Sequence, residues 1–239
     1  YAVNALNLIV RRSSRAVTTP SGPVRYVIDM YFDANDNVIR EEVENRDDSG
    51  AIVAANPAFT TTHVRNILDE LLSTTQEVDA SNSITTGYGV DVNGNRVLRR
   101  YGEATAGRQP NNVVRTDFDE RDLAFRTIRA PGTPEQSTTQ QDYNANASLV
   151  RTTTGLEDVS PHVTTFTLDG FERRTAVTDP MSNVTTSHFD ANGNIVSTRV
   201  DGELDDMPGS AANVRLSEIA YIYDAMDRRL WQDATHYDL

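Results

Sequence analysis

The 239-residue chain has no cysteine. That removes disulfides, thiol nucleophiles and thiolate metal sites in one step, while leaving secretion open. It has no lysine either. All 22 basic residues are arginine, set against 35 acidic ones, for a formal net charge of −13. An acidic chain argues against nucleic acid and anionic membranes as partners, because both need basic patches that displace counterions. Biased codon usage accounts for the missing lysine more readily than an acidic, salt-adapted or extracellular surface does. Aromatics are scarce at 7%, and hydrophobic residues reach only 38%. That suffices for a thin continuous core, not a thick one. No apolar run approaches the ~18 residues of a membrane-spanning helix. The first residues, Tyr1-Ala2-Val3-Asn4-Ala5-Leu6-Asn7, include no initiator methionine and no basic stretch, so they do not read as a signal peptide.

What the chain does have is a repeated phrase: an aromatic residue, an aspartate, two turn residues, then an apolar pair. Phe189-Asp190-Ala191-Asn192-Gly193-Asn194-Ile195-Val196 is the clearest copy. Phe32-Asp33-Ala34-Asn35-Asp36-Asn37-Val38-Ile39 and Tyr223-Asp224-Ala225-Met226-Asp227-Arg228-Arg229-Leu230 follow it. Anchored on the aspartate position, copies fall at Asn4, Asp33, Asp69, Asp91, Asp119, Asn144, Asp169, Asp190 and Asp224. Self-similarity at this period signals a repeat architecture, in which each unit packs mainly on its neighbours. The repeats cover residues 1–239. Tyr237-Asp238-Leu239 resembles the start of another, which gives the expectation of an interior section of a longer polypeptide.

One copy reads as a β-hairpin. The segment Asn183–Phe189 is rich in threonine and valine, which suit a pleated surface. Asp190-Ala191-Asn192-Gly193 supplies turn chemistry, since Asn-Gly tolerates the positive φ that tight hairpins need. Ile195–Val200 resumes as a strand. The anchoring aspartate is expected to accept backbone N–H groups across its turn, and the aromatic beside it to pack on the neighbouring repeat. The fold class is therefore all-β: antiparallel hairpin repeats forming a section of a larger sheet. Asp33, Asp91, Asp119, Asp190, Asn192, Gly193, Tyr223 and Asp224 define the repeat structurally.

Residues 62–72 admit two readings. Val64, Ile67, Leu68, Leu71 and Leu72 fit an amphipathic helix. Asp69, however, lies in phase with Asp91, and this favours strand-turn-strand with Asp69 as the anchor. Surface loops are expected at 47–50, 130–135 and 201–210, from their acidic and Gly/Pro-rich character.

Catalytic or metal-binding constellations are not evident. Asp33-x-Asn35-x-Asn37 and Asp190-x-Asn192-x-Asn194 share the opening spacing of a calcium loop. The sixth positions are Val38 and Ile195, where such a loop needs glycine. His63, His162, His188 and His236 stand at no metal-ligand spacing from one another, and His188 reads as a half-buried packing residue. No phosphate loop or nucleophile elbow occurs. No cofactor and no metal site is expected, and the chain does not read as an enzyme.

The repeats resemble the YD (tyrosine-aspartate) repeats of Rhs proteins, the C subunits of Tc toxins and the teneurins. The stretch from Thr178-Asp179-Pro180 through Phe189-Asp190-Ala191-Asn192-Gly193-Asn194 carries the resemblance most strongly, with Phe118-Asp119-Glu120-Arg121-Asp122 beside it. The chain departs from that pattern where Phe, Leu or Val replaces the tyrosine and where the turn glycine is missing. The resemblance implies an antiparallel sheet spiralling into a hollow shell. In the bacterial toxins the shell encloses a toxic C-terminal domain; in the teneurins it supports adhesion. The expected function is thus a non-catalytic wall of a secreted or cell-surface bacterial protein. Its partners would be its own neighbouring repeats, an enclosed toxin domain, or other subunits. An extracellular adhesion or filament scaffold is the alternative. Asp179-Pro180 is similar to the Asp-Pro of the self-cleavage motif that ends Rhs shells, but Met181-Ser182 replaces the continuation and a regular repeat follows.

Overall fold

Threonine and valine pack the extended segments, and Asx-rich pentapeptides punctuate them, so the chain folds into strand after strand. The computed structural model describes residues 1–203 and 213–237. The backbone divides into two units, 1–116 with 129–135, and 117–128 with 136–239.

The first unit contains β1 (Ala2–Val3), β2 (Ile9–Ser13), β3 (Val17–Thr19), β4 (Gly22–Val24), β5 (Val27–Phe32) and β6 (Val38–Glu44). It continues with β7 (Ala58–Arg65), β8 (Leu71–Asp79), β9 (Asn82–Val90), β10 (Arg96–Arg100), a short helix α1 (Gly102–Thr105) and β11 (Val113–Phe118). Its sheet is an antiparallel meander: β1 on β2, β2 on β5, then β5 through β11 each on the next. Strands β3 and β4 form a separate small hairpin.

The second unit runs β12 (Ala124–Arg129), β13 (Ser137–Tyr143), β14 (Leu149–Thr154), β15 (His162–Leu168) and β16 (Arg174–Thr178). It ends with β17 (Val184–Phe189), β18 (Ile195–Gly202), β19 (Val214–Tyr223) and β20 (Arg229–His236). Strands β13 to β20 pair antiparallel in sequence order. The chain is all-β as its sequence predicts.

Residues 62–72 are strand-turn-strand, not helix, because β7 and β8 pair through Thr62↔Thr75 and Val64↔Ser73. One expected loop is corrected. Asp201 and Gly202 close β18, opposite Arg215 and Val214, instead of opening a loop; residues 204–210 lie outside the described residues. The segment 47–50 is one more copy of the repeat turn, with Asp47 accepting from Ser49 N and Ala51 N.

Among the described residues, no second layer within either unit covers its sheet. Among the described residues no apolar side chain is fully buried, and the two buried polar ones are Thr138 and Thr153. A compact 26.4 kDa monomer exposes about 10,600 Å², and two separate compact bodies of half that mass about 12,800 Å²; this chain exposes 15573 Å². The expected thin core is therefore no closed core at all. Each unit is one sheet thick, with two faces that can be read off the register.

The faces differ. Through the second unit, directly opposed residues Phe166↔Val177↔Thr185↔Val200↔Ser217 lie on one face, and Ile219 and Tyr221 continue it. The other face carries Asp142↔Arg151, Thr167↔Ala176↔Thr186↔Arg199↔Glu218 and His188. In the first unit Ile28↔Val43↔Phe59 oppose a row of Arg11↔Asp29↔Glu42↔Thr60 on the reverse side. Alternation of apolar and charged residues is what a sheet with one wet face shows. His188 is exposed on the charged face, not half-buried as its strand position suggests, because its register partner is Ser197.

Candidate functional site: a ladder of repeat turns

Among the described residues, eleven pentapeptides adopt one geometry. At 190–194 the Asp190 N–H donates to Asn194 O (3.0 Å) and the Gly193 N–H donates to Asp190 O (3.2 Å). Asp190 Oδ1 accepts the N–H groups of Asn192 (2.9 Å) and Asn194 (2.8 Å). The same backbone and side-chain bonds recur at Asn4, Asp33, Asp47, Asn66, Asp91, Asp119, Asn144, Asp169, Asp179 and Asp224. This is a type I turn followed by a left-handed residue, the three-residue hairpin loop with its bulge. The bulge shows as the register shift between His188 and Phe189, and its equivalents in other hairpins.

The left-handed position is the third after the anchor. Gly193 fills it at φ 92° and Gly94 at 84°, but Asp36, Asp69, Asp122, Ala147, Glu172, Ser182 and Asp227 fill it elsewhere at 59–67°. Oδ1 capping of two N–H groups holds the turn even where a side chain makes that φ costly. This explains why the turn glycine is dispensable. It also corrects one anchor. Asn66, not Asp69, caps the turn between β7 and β8; Asp69 occupies the left-handed position at φ 63°. Aligning aspartate on aspartate shifts that copy by three residues. Asn66 and Asn144 both show that the anchor needs an acceptor oxygen, not a charge.

The anchors Asp33, Asp47, Asp91, Asp119, Asp169, Asp190 and Asp224 hold their carboxyls below the usual range. Asp33 is lowered by the backbone N–H of Asn37 first, Asp190 by the Asn194 side chain, and Asp224 by the Arg228 backbone N–H. Arginines at the turns add ion pairs, Arg173–Asp169 and Arg228–Asp224, each at 2.7 Å. Asp179, ahead of Pro180, caps a turn of this kind between β16 and β17, with Asn183 Nδ2 2.9 Å from its Oδ2.

The aromatic before the anchor has a defined task. Tyr143 Oη donates to Ala124 O (2.9 Å), and Tyr223 Oη donates to Ile195 O (3.0 Å). Ala124 and Ile195 each stand five residues after the anchor of the preceding turn. In each case the hydroxyl reaches back to the first residue of the strand that leaves the preceding turn. Phe189 cannot donate; its ring instead lies under the Arg173 guanidinium, 4.6 Å from the centroid.

Successive turns within a unit are bonded to each other. Asn35 Nδ2 and Asn37 Nδ2 both donate to Asp69 Oδ1, each at 3.0 Å. Asn144 and Asn146 donate to the Glu172 carboxylate at 3.0 and 2.6 Å. Asn192 and Asn194 donate to Asp227 Oδ1 at 3.0 and 2.7 Å. In each case an Asn-rich turn reaches the acidic left-handed residue of the next turn. The same bonds engage the side chains of the Asp-x-Asn-x-Asn spacing. Asp33 Oδ1 and Asp190 Oδ1 are occupied by backbone N–H groups, and the asparagine amides turn toward the neighbouring carboxylate. Among the described residues no three His, Cys, Asp or Glu side chains gather as a metal site. No helix among them is long and apolar enough to cross a membrane.

No protein-family model matches the sequence, and no curated protein matches it. Solved structures do. The chain is similar to the crystal structure of TcdB2-TccC3, with a TM-score of 0.49 and 11% identity over 98% of this chain and 15% of that one. A second structure, TcdB2-TccC3-TEV, gives a TM-score of 0.33 and 11% identity over 90% of this chain and 14% of that one. The Tc holotoxin pore of Photorhabdus luminescens gives 0.32 and 11%, over 89% of this chain and 14% of that one. This chain therefore spans about one seventh of the length of the solved chains it resembles.

Proposed function

We propose that the chain is a non-catalytic section of wall in a large secreted or cell-surface bacterial YD-repeat protein, where it helps enclose a toxin domain. The observation that carries this reading is the one-layer sheet with unlike faces and no buried apolar side chain. Such a sheet is unstable as a free body, because its Phe166, Val177 and Val200 face needs cover. A wall has two surfaces by construction, one toward its contents and one toward solvent. The turn ladder fits the same role, since bonds between consecutive turns fix how each hairpin meets the next.

The second reading is an extracellular scaffold for adhesion or assembly. It is favoured by the apolar turn tips Leu68, Phe171 and Met226, 70–80% exposed, which suit contact with another subunit.

The absence of cysteine makes a direct test available. Ala176 and Val177 are adjacent in β16 and lie on opposite faces. In the intact parent protein, Ala176→Cys and Val177→Cys are each treated with a maleimide carrying a bulky polymer. A wall leaves one of the two unreactive until the particle is opened by denaturant. Equal reactivity of both in the native particle favours the scaffold.

A further inference from the structure

We infer that the cleft between the turns at 4–8 and 33–37 is a binding site for an arginine side chain presented by an extended segment of a separate partner polypeptide. The cleft measures about 610 Å³ and is lined by Leu6, Leu8, Val10, Met30 and Phe32, with Asp33 and Asp36 at its rim.

The argument is internal to the repeats. Where the turn at 190–194 follows the turn at 169–173, the aromatic and the anchor of the later turn form a small shelf. On the shelf made by Phe189 and Asp190, Arg173 is seated. Its guanidinium lies 4.6 Å from the Phe189 centroid, Nη1 donates to Asp190 O (3.2 Å) and Nε donates to Asp169 Oδ2 (2.7 Å). On the Asn144 anchor, Arg121 Nη1 donates to the Asn144 carbonyl (2.7 Å). The chain thus uses a guanidinium at this junction twice. At the junction of residues 66–70 with 91–95 the carboxylate of Glu70 lies against the bare Gly94, so no shelf is free there.

The junction at 4–8 and 33–37 has the shelf without the arginine. Phe32 and Asp33 correspond to Phe189 and Asp190: Asp33 lies four residues beyond Asp29 of the pair Arg11↔Asp29, as Asp190 lies four beyond Thr186 of the pair Ala176↔Thr186. The residue four after the anchor is Leu8 where the other junction has Arg173. The residue two after it is Leu6 where the Asn144 junction has Arg121. Asp33 O accepts the Asp36 N–H at 3.3 Å, as Asp190 O accepts the Gly193 N–H. Asp36 adds a carboxylate where Gly193 has none. Arg11 and Asp29 also line the cleft, and Arg11 is committed there to Asp29 at 2.6 Å. An aromatic ring, a carbonyl and a carboxylate around an apolar floor select a planar cation on an apolar stem, which is arginine.

The test is an amide-resolved NMR titration of the intact protein with acetyl-Leu-Arg-Leu-amide, run beside the same peptide with citrulline, which keeps the shape and loses the charge. Shifts confined to Leu6, Leu8, Phe32, Asp33 and Asp36 are expected, saturating with a Kd of about 1 mM, and weaker by about tenfold with citrulline. Leu8→Arg supplies the chain's own guanidinium and is expected to abolish the titration while leaving the remaining spectrum in place. Equal binding of the citrulline peptide, undiminished binding by Leu8→Arg, or no shifts at about 10 mM peptide overturns the proposal. The same shifts produced by raising the protein concentration alone would also overturn it, by naming a second copy as the occupant.

Discussion

Asn192 Nδ2 donates to Asp227 Oδ1 across two consecutive hairpin turns, at 3.0 Å, although 35 residues separate them in the chain. Asn194 Nδ2 reaches the same oxygen at 2.7 Å. The pair makes an Asn-rich turn and an acidic turn a single clamped unit, and the bonds of Asn35 with Asp69 and Asn146 with Glu172 repeat it.

That clamp predicts a charge-swap result. Asn192→Asp places a carboxylate against Asp227 and is expected to lower Tm by about 2–4 °C, the response of a chain this size to one lost bond of ordinary strength. Adding Asp227→Asn restores a donor on the other side and should recover most of the loss. Thermal unfolding of the two single variants and the double variant checks this; simple additivity of the two losses would refute the clamp.

The left-handed position predicts opposite effects for two mirror-image substitutions. Gly193 stands at φ 92° with open space around its α-carbon, so Gly193→Ala acts through the backbone alone. A cost of about 1 kcal/mol is expected. Ala147 occupies the same position at φ 65°. Ala147→Gly should therefore stabilise by a similar amount, less the entropy that glycine returns to the unfolded chain. Denaturant midpoints of both variants measure the pair.

Tyr143 predicts the value of the aromatic hydroxyl. Its Oη donates to Ala124 O at 2.9 Å. Tyr143→Phe should cost about 1 kcal/mol. Phe189→Tyr should give no matching gain, because the Arg173 guanidinium already covers that ring.

Acid sensitivity follows from the anchors. The carboxyls of Asp33, Asp190 and Asp224 are held below their ordinary value by the N–H groups they accept. A depressed folded-state pKa contributes stability that is present above the unfolded value, near 3.9, and is lost as pH falls through the folded value. Tm should stay level from neutral pH to about pH 5 and fall below about pH 4. Glu157 is held down to about 2 by the Thr138 hydroxyl, the Gln136 amide and the Thr138 N–H, so it stays ionised through most of that decline. Asp190→Asn keeps an acceptor oxygen, as Asn66 and Asn144 do naturally. It should hold its turn at pH 7 and flatten the acid decline; an unchanged decline would show that the anchors do not drive it.

The strands and the turn chemistry were legible in the sequence because both are local. Threonine-rich segments and Asx-x-x-Gly phrases specify a hairpin whatever lies beyond it. Asn66 was not legible, because Asp69 offers the same letter as the true anchors three residues later and only the backbone bonds distinguish cap from left-handed residue. Asp47 and Asp179 follow Arg46 and Thr178, not the apolar or aromatic residue that precedes the anchors read from the sequence, so their turns lack that mark. The clamps were hidden for a different reason. Asn35 with Asp69 and Asn192 with Asp227 are 34 and 35 residues apart, while Asn146 with Glu172 is 26 apart, so no fixed spacing marks them. The unlike faces follow from alternation, but the bulge at each turn shifts the phase, so the sequence alone does not say which residues share a face. The helix α1 and the β3–β4 hairpin are insertions into the period and leave no signature in it.

The central claim is that this sheet is a section of closed wall, and electron cryo-microscopy of the intact parent particle from its native source tests it most directly. The account predicts a hollow β-shell in which residues 1–239 form part of the wall, with weak, disordered density inside. An empty barrel, an open sheet or a polymer of repeating subunits would contradict it.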